Sequence, residues 1–509
     1  MATRTKMTQF RRIQRVLLYP FDCVSTRFMM GVLGFFGFIN LYMTRVNLSM
    51  IVVAMVKRTH SREAYCGSNI NDELCSSSNN SSNSTGDTVT TGEIEWDEAT
   101  IGTVMSFFFY GYALTQVWGG RLAEVWGTKW VFGTAILSSG LLTLLTPLIV
   151  VVHPAAMCAL RFTMGLCQGV SRPSMHAMLV RWIPLQQRQR FVSIVYIATT
   201  LGTVITMPLC GAVIEGWGWR AAFYVTGALS VTWALFWWMM IFDKPEDHVR
   251  IKPSELKFIT DNIRSTGTSA GAVRKVPWRA IFTSPPFLVI FLADCGNNFG
   301  LQLFTTQIPN YISQVYSLSI RDNSMLSAAP FLARYIGSVL FGCLGDAIVS
   351  RKLLSVVVVR KTFSVFAMFC PAILLVIIIL YCESLSSVIY LMSTAMFLNG
   401  AIASSVIVNH SDIAPNYAGT LYGITNMAAS LAGGAAPLIA GFIVTNKTRE
   451  EWQTVFWTCI PFYAVTEVFF LAFASGSVQD WNYYDTEPEQ THDRHELSET
   501  ATSGDQRDR

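Results

Sequence analysis

Twelve stretches of predominantly apolar residues run through the sequence, separated by shorter polar segments. Each stretch is long enough to cross, as an α-helix, the roughly 30 Å hydrocarbon core of a bilayer. The stretches lack the strict alternation of apolar and polar positions that membrane-barrel strands show. We therefore predict transmembrane helices over residues 28–56, 99–120, 130–152, 155–180, 191–214, 220–242, 286–308, 325–344, 362–382, 387–411, 419–443 and 454–474.

The composition agrees with an all-α membrane protein embedded in the lipid bilayer. Of 509 residues, 51% are hydrophobic and only 14% are charged, and the mean hydropathy is +0.39. The polar, basic segment before the first predicted helix has neither the apolar region nor the cleavage site of a signal peptide. We expect the first helix to act as its own insertion signal. The net charge of +4 does not indicate a nucleic-acid partner, because the distribution of lysine and arginine accounts for it.

Most of the 37 lysines and arginines lie on the chain termini and on the loops that share their side of the membrane. Cytoplasmic loops of membrane proteins carry this excess. We therefore expect both termini to be cytoplasmic, in a plasma membrane or in a lysosomal or vesicular membrane.

The spacing of the predicted helices divides the chain into two halves of six. The predicted parts are a cytoplasmic N-terminal tail (1–27), an N-terminal six-helix bundle (28–242) with an outer loop (57–98), a cytoplasmic linker (243–285), a C-terminal six-helix bundle (286–474) and a cytoplasmic C-terminal tail (475–509). A 6+6 arrangement is typical of transporters in which two bundles rock about a site near the midplane.

The outer segments contain candidate modification sites. Glycosylation sequons begin at Asn79, Asn80, Asn83 and Asn446. Cys66 and Cys75 lie in the same long outer loop, where an oxidising compartment would permit a disulfide bond.

The segment between the second and third predicted helices reads Gly119-Gly120-Arg121-Leu122-Ala123-Glu124-Val125-Trp126-Gly127-Thr128-Lys129. It resembles the signature of the major facilitator superfamily, in which glycines allow close helix approach while an acid and a base form a cytoplasmic latch. The resemblance implies the twelve-helix major facilitator fold. It assigns gating roles to Gly120, Glu124, Gly127 and Lys129.

Further motifs resemble the anion transporter family of sialin, the vesicular glutamate transporters and the type I sodium–phosphate cotransporters. They are Arg45-Val46-Asn47-Leu48-Ser49, Phe108-Phe109-Tyr110-Gly111-Tyr112, Pro173-Ser174-Met175-His176-Ala177-Met178 and Asn409-His410-Ser411-Asp412. The resemblance implies secondary transport of a small organic or inorganic anion by a protein that is not an enzyme. We expect a monomer without cofactor or metal centre. No P-loop or nucleophile–base pair indicates another chemistry.

Four arginines fall inside predicted helices: Arg45, Arg161, Arg172 and Arg334. An arginine at the bilayer centre costs about 3 kcal/mol on insertion scales, so it faces the protein interior and has a partner. Arg45 and Arg161 lie at similar depth and match arginines that the family uses for substrate recognition. They are either an anion clamp or structural charges held by backbone carbonyls or an acid.

Other candidates would line the same path. Tyr110 and His176 belong to family motifs, whereas Asn298 would either contact substrate or join helices. The tryptophans Trp233, Trp237 and Trp238 are typical of an aromatic belt at the membrane interface.

The sequence does not decide whether transport is coupled to Na⁺ or to H⁺. Met164 and Gln168 stand where proton-coupled relatives have acidic residues, so we favour sodium coupling or a potential-driven uniport over proton symport. Asp294 either pairs with Arg334 or titrates. His176 and His410 are further proton candidates.

These departures also permit a second function, a non-transporting membrane sensor or scaffold that keeps the transporter fold. An intact latch from Gly120 to Lys129 argues against it, since a static protein has little use for a gate.

Overall fold

The computed structural model describes residues 25–61, 88–264 and 276–483. The predicted sites at Cys66, Cys75, Asn79, Asn80 and Asn83 lie outside these residues. The first half of the chain forms α1 (Thr26–Met55), α2 (Glu98–Trp126), α3 (Thr128–Ile149), α4 (Pro154–Gly169), α5 (Ser171–Trp182), α6 (Leu185–Trp217) and α7 (Trp219–Met240).

The linker contains a short 3-10 turn (Pro245–Asp247) and the helices α8 (Pro253–Arg264) and α9 (Trp278–Thr283). The second half forms α10 (Pro285–Tyr316), α11 (Ile320–Ser350), α12 (Val356–Ser364), α13 (Cys370–Tyr381), α14 (Leu385–Asn399), α15 (Val406–Ile413), α16 (Ala418–Ile443) and α17 (Arg449–Phe473). A final 3-10 turn covers Asp480–Tyr483.

The twelve predicted membrane crossings are confirmed as helical. Ten helical segments of the described chain are long and apolar enough to span a membrane. The other two predicted crossings are α2 and the consecutive pair α4 and α5. The described chain thus has the all-helical architecture that its apolar stretches predict.

A short antiparallel pair of strands, β1 (Arg58–Ser61) and β2 (Thr88–Thr91), follows α1. The all-α prediction did not include this pair of strands.

We call the side of the protein on which the two strands lie the hairpin side. The opposite side, where α7 ends and the linker begins, is the linker side.

Three predicted helices are interrupted, and proline explains two of the interruptions. The fourth crossing breaks at Val170, because Pro173 has no N–H for the carbonyl of Gly169. The ninth crossing widens into a π-helix over Val365–Phe369, immediately before Pro371. The tenth crossing tightens into a 3-10 turn over Gly400–Ser404. The fourth and tenth crossings occupy corresponding places in the two halves, a position where transporters bind substrate between broken helices.

The two halves contact each other mainly where α1 meets α10, where α2 meets α16, and where α6 meets α11. On the hairpin side the contact is tight, because the backbone carbonyl of Glu98 occupies the space that a side chain at Gly441 would need. Nearer the linker side, polar side chains join the halves: Asn426 donates to Gln116 at 2.8 Å, and Arg172 donates to Tyr422 at 2.9 Å. The halves therefore contact each other through the backbone on the hairpin side and through polar side chains nearer the linker side.

Trp233 and Trp237 of α7 are a correction to the sequence analysis, whereas Trp238 is half-buried against the exposed Trp130. Trp237 is fully buried, and Trp233 is only 8% exposed. Their rings stack on each other and pack against Phe132 of α3. They form a core of the first bundle, because α7 packs tightly on α3 there.

Candidate substrate-binding site

A small cavity lies between the two halves, nearer the hairpin side; together with the open space at its mouth it encloses about 310 Å³. Four helices contribute to its wall, three from the first half and one from the second. The lining residues are Arg45, Val46, Ser49, Met105, Phe108, Phe109, Arg161, Gln302, Thr305 and Thr306. The cavity therefore brings together the two arginines that the sequence placed at similar depth.

Four aromatic rings surround the Arg45 guanidinium. Its Cζ atom lies 4.8–5.1 Å from the ring centroids of Tyr42, Phe108, Phe109 and Tyr112. Cation–π attraction holds a buried guanidinium in this way without using its N–H groups. The Arg45 donors thus stay available for another acceptor.

Arg161 is held partly by the backbone of α1. Its Nη1 lies 3.5 Å from the carbonyl oxygen of Thr44, and its Nη2 lies 3.3 Å from that of Arg45. Its buried Nε has no hydrogen-bond acceptor among the described residues. Backbone carbonyls therefore fix the side chain, as one of the two hypotheses expects, yet they leave part of its hydrogen-bonding capacity unused.

The two arginines have no acidic partner within the described part of the chain, whose ion pairs do not include either of them. Gln168, where relatives carry an acid, instead donates a 3.0 Å hydrogen bond to the Thr44 hydroxyl. Met164 presents only its sulfur to Arg161 Nη1, at 3.9 Å. The cavity wall from the first half is thus positively charged and uncompensated.

The second half supplies neutral polar groups. Thr305 and Thr306 donate their hydroxyl hydrogens to backbone carbonyls of their own helix, at 2.7 and 2.8 Å. Gln302 is held by the Asn298 side chain at 3.4 Å. These groups can form hydrogen bonds to a ligand, but they add no charge.

Three predicted substrate contacts lie outside this cavity. Asn298 donates to the backbone carbonyl of Ala429 at 2.7 Å, so it joins α10 to α16 and supports Gln302. Tyr110 is half-buried between α2 and α16, beside Gly434. His176 has an exposed side chain on α5, closer to the linker side.

Asp294 and Arg334 do not form the ion pair that the sequence left open. The Arg334 guanidinium donates to Asn399 Oδ1 at 2.9 Å and to Thr200 Oγ1 at 3.2 Å. The Asp294 carboxyl instead contacts the Thr425 hydroxyl and lies near His410. His410 Nε2 is 2.9 Å from the same hydroxyl. The two proton candidates of the second half, Asp294 and His410, therefore share one neighbour, Thr425.

Several residues of this site escaped the sequence analysis. The cage positions Phe108, Phe109 and Tyr112 belonged to a family motif but had no assigned role. Phe109 follows Phe108 by one residue and precedes Tyr112 by three, so all three rings lie on one face of a helix. That spacing is a signal that could have predicted an aromatic surface around the arginine. Tyr42, one turn before Arg45 on the same face, carries the same signal.

A family model described as the Major Facilitator Superfamily matches residues 33–437 of this chain. Human sialin is 34% identical over 90% of this chain and 91% of its own length. The chain belongs to the major facilitator superfamily, in the anion transporter family of sialin.

Two further comparisons agree with this membership. A Drosophila melanogaster protein, named an inorganic phosphate cotransporter, is 31% identical over 95% of this chain and 90% of its own. A bacterial homologue of the human lysosomal transporter Spinster has the same fold, with a TM-score of 0.62 at 12% identity. The alignment covers 88% of this chain and 96% of that one. The chain is therefore an integral multi-pass membrane transporter, and this family does not consist of enzymes.

The signature loop of the major facilitator superfamily adopts a strained turn in this member. Gly127 has φ +86°, and a side chain there would collide with the Asp243 carboxylate. Asp243 Oδ1 accepts a 2.7 Å hydrogen bond from the backbone N–H of Lys129, whose ammonium lies over the Phe242 ring. Asp243, at the end of α7, is a partner of this loop that the sequence analysis missed.

Gly120 and Glu124 lie in α2, but their side-chain surroundings are outside the described part of the structure. The predicted latch between Glu124 and Lys129 therefore stays a prediction.

Asn446 is described, and its side chain is engaged. Its Nδ2 donates to Glu451 Oε1 at 2.9 Å and to Thr445 Oγ1 at 3.2 Å. The sequon threonine, Thr448, accepts from the Glu451 N–H at the start of α17. Glycosylation at Asn446 stays a prediction.

Proposed function

We propose that this protein is a secondary transporter of small organic or inorganic anions, carboxylates or phosphate, that works by alternating access. One observation carries the proposal: Arg45 and Arg161 face one cavity between the two halves, with no carboxylate partner in the described chain. Guanidinium groups offer planar N–H pairs that match carboxylate and phosphate oxygens.

The energetic argument favours a ligand as the missing partner. Each guanidinium inside the membrane costs about 3 kcal/mol or more, and a paired anion offsets part of this cost. The aromatic cage leaves the Arg45 donors unused, and Arg161 Nε has no acceptor. An anion in the cavity would accept from both.

The placement of the cavity between two helical halves supports alternating access. The halves touch through the backbone at Gly441 and through side chains such as Arg172 and Tyr422. Rocking of the two halves about these contacts would expose the same cavity to one side of the membrane and then to the other.

The clamp is tested by uptake into proteoliposomes that contain Arg45→Gln or Arg161→Gln. Each substitution should reduce uptake of labelled phosphate or of the carboxylate substrate at least about tenfold, the effect of losing one charge-assisted hydrogen bond. Arg351→Gln is the matched control, because this arginine is exposed just past the end of α11. Full uptake by Arg161→Gln would rule out the clamp, whereas binding without uptake by the unmodified protein would favour a sensor.

We further expect the driving force to be a sodium gradient or the membrane potential, not a proton gradient. Met164 and Gln168 cannot titrate, and Gln168 is already bound to Thr44. Proton, sodium and electrical gradients imposed separately should show uptake without a pH gradient. Strict dependence on the proton gradient, lost in Asp294→Asn, would contradict this expectation and identify Asp294 as the coupling group.

A further inference from the structure

Arg172 and Arg334 form a second positive region on the linker side of the cavity. Arg172 lies on α5, just after the break in the fourth crossing. Its Nη1 donates to the Tyr422 hydroxyl at 2.9 Å, and its Nη2 donates to the Tyr42 hydroxyl at 3.2 Å. Arg334 donates only to Asn399 and Thr200. All of these partners are neutral.

The two regions share Tyr42. The Arg45 Cζ atom is 5.1 Å from the centroid of its ring, while Arg172 binds its hydroxyl. Arg334 donates to Thr200 of α6, two residues before Gly202, where an added side chain would meet the Cβ atom of Tyr42. The guanidinium groups of Arg45 and Arg172 are thus separated by one phenol ring and its two contacts, on the order of 10 Å.

The charges of this region do not balance. Arg360 is neutralised by Asp412, with 2.7 Å between Nε and Oδ2. The charge of the Asp294 carboxylate interacts with that of Arg172. The carboxylate itself, however, contacts Thr425 and lies beside His410. A single carboxylate cannot neutralise Arg172 and Arg334 while Arg45 and Arg161 are also uncompensated. In the described chain, the path between the halves therefore carries excess positive charge along its length.

The second region lies where the two halves meet. Arg172, Arg334, Tyr42 and Tyr422 are each only half-buried. The hydrogen bond from Arg172 to Tyr422 crosses from the first half to the second, so an anionic group held here would contact both halves.

We propose that Arg172 and Arg334 bind a second negatively charged group, so that the substrate is a small dianion with two separated anionic groups. This inference rests on the proposed function, because Arg45 and Arg161 would hold the first group. The second group would be a carboxylate or a phosphate, whose oxygens accept from the unused guanidinium N–H groups. Transporters commonly bind their substrate beside the break of a discontinuous helix, and Arg172 lies just after such a break.

The test compares diacids with their own monoamides, which have the same length but one charge fewer. Succinate, glutarate and adipate and their monoamides would be titrated against the full-length protein in lipid nanodiscs by calorimetry. The unmodified protein should bind at least one diacid tenfold or more tightly than its monoamide. Similar affinity within every pair would overturn the inference.

Arg334→Gln should reduce that preference to twofold or less while the monoamide affinity changes by less than twofold. Arg334→Lys keeps the charge and should keep most of the preference. Arg351→Gln, at the exposed end of the same helix, is the matched control. Thermal unfolding of each variant checks that it is folded. A tenfold preference retained by folded Arg334→Gln would contradict the assignment.

The two proposals fail in different ways. Arg45→Gln should weaken the diacid and the monoamide alike, because both place their carboxylate on the first site. If no acid binds the unmodified protein, the proposed function itself is contradicted. If the acids bind and Arg45→Gln weakens them, but no diacid is preferred, only the second site is contradicted.

Discussion

The two six-helix halves of this transporter contribute different chemistry to the same cavity. The first half provides fixed charge, through Arg45 and Arg161. The second half provides amide and hydroxyl groups, through Gln302, Thr305 and Thr306. Charge attracts any small anion, whereas neutral groups at defined positions distinguish one anion from another. Under the proposed function, affinity and selectivity would therefore be divided between the halves.

The division has a consequence for transport. A ligand that contacts only one half would leave the equilibrium between the two arrangements unchanged, since it has equal affinity for both. A ligand that contacts Arg161 and Gln302 together joins the halves across the cavity. Such a ligand favours the arrangement in which both walls are near it, which links binding to movement.

The largest effect on uptake is expected when a charge is placed on the neutral wall of the cavity. Gln302→Glu changes little in size but sets a carboxylate opposite Arg45 and Arg161, where it would take the place of the transported anion. Uptake in proteoliposomes should fall about 100-fold, since a desolvated like charge costs several kcal/mol. The unfolding temperature should rise, because buried guanidinium groups gain a partner.

Gln302→Leu is the control for that experiment. It removes one neutral hydrogen bond, worth about 1 kcal/mol, so KM should rise about fivefold while the maximal rate is kept. Equal uptake by the Glu variant and the unmodified protein would show that the second half does not face the transported anion.

A smaller effect is expected where the two halves meet on the hairpin side. Gly441→Val would push a side chain into the backbone of α2 at Glu98, so the closed hairpin side would become less stable. Turnover should fall about tenfold, while anion affinity measured by calorimetry changes little, because the clamp is distant. Gly216→Val is the control, since a side chain there meets no atom within 4 Å. Unchanged turnover in Gly441→Val would argue against closure at this contact.

Much of the fold could be predicted from the sequence, because membrane helices are recognisable by their length and their apolar composition. The twelve crossings were predicted, and so was the common depth of Arg45 and Arg161, which depends only on the rise per residue. The breaks at Val170 and Gly400 were not predicted. Proline at position 173 pointed to the first, but local sequence alone does not show whether neighbouring helices tolerate a freed carbonyl.

The partners of buried charges were the part that sequence could not supply. Arg334 and Asp294 are close in depth, and opposite charge suggested a pair, yet Arg334 binds Asn399 and Asp294 lies beside Thr425 and His410. Which side chain meets which depends on helix rotation, and a hydropathy pattern fixes rotation only within a broad face. Trp233 and Trp237 were misassigned for the same reason, since their burial against Phe132 depends on the packing of two helices.

The smallest expected effect concerns the contact between the linker helix α8 and the first half. Glu255 of α8 accepts 3.2 Å hydrogen bonds from the backbone N–H groups of Thr26 and Arg27 and from Arg27 Nε. Burial alone would raise the pKa of Glu255, but these hydrogen bonds outweigh it and hold the pKa below its usual value. The ionised carboxylate thus anchors the linker to the start of α1.

Glu255→Gln should lower the stability at pH 7 by less than about 1 kcal/mol, because water screens the exposed part of the contact. The folded-state pKa is below the unfolded one, so the carboxylate stabilises the protein above its ordinary pKa. This contribution is lost as the pH falls through the lowered value. The difference in unfolding temperature between the unmodified protein and Glu255→Gln should therefore shrink below about pH 4. Glu246→Gln, exposed in the same linker, should show no difference at either pH. A gap in unfolding temperature that stays constant down to pH 3 would mean that the Glu255 charge does not anchor α8 to the start of α1.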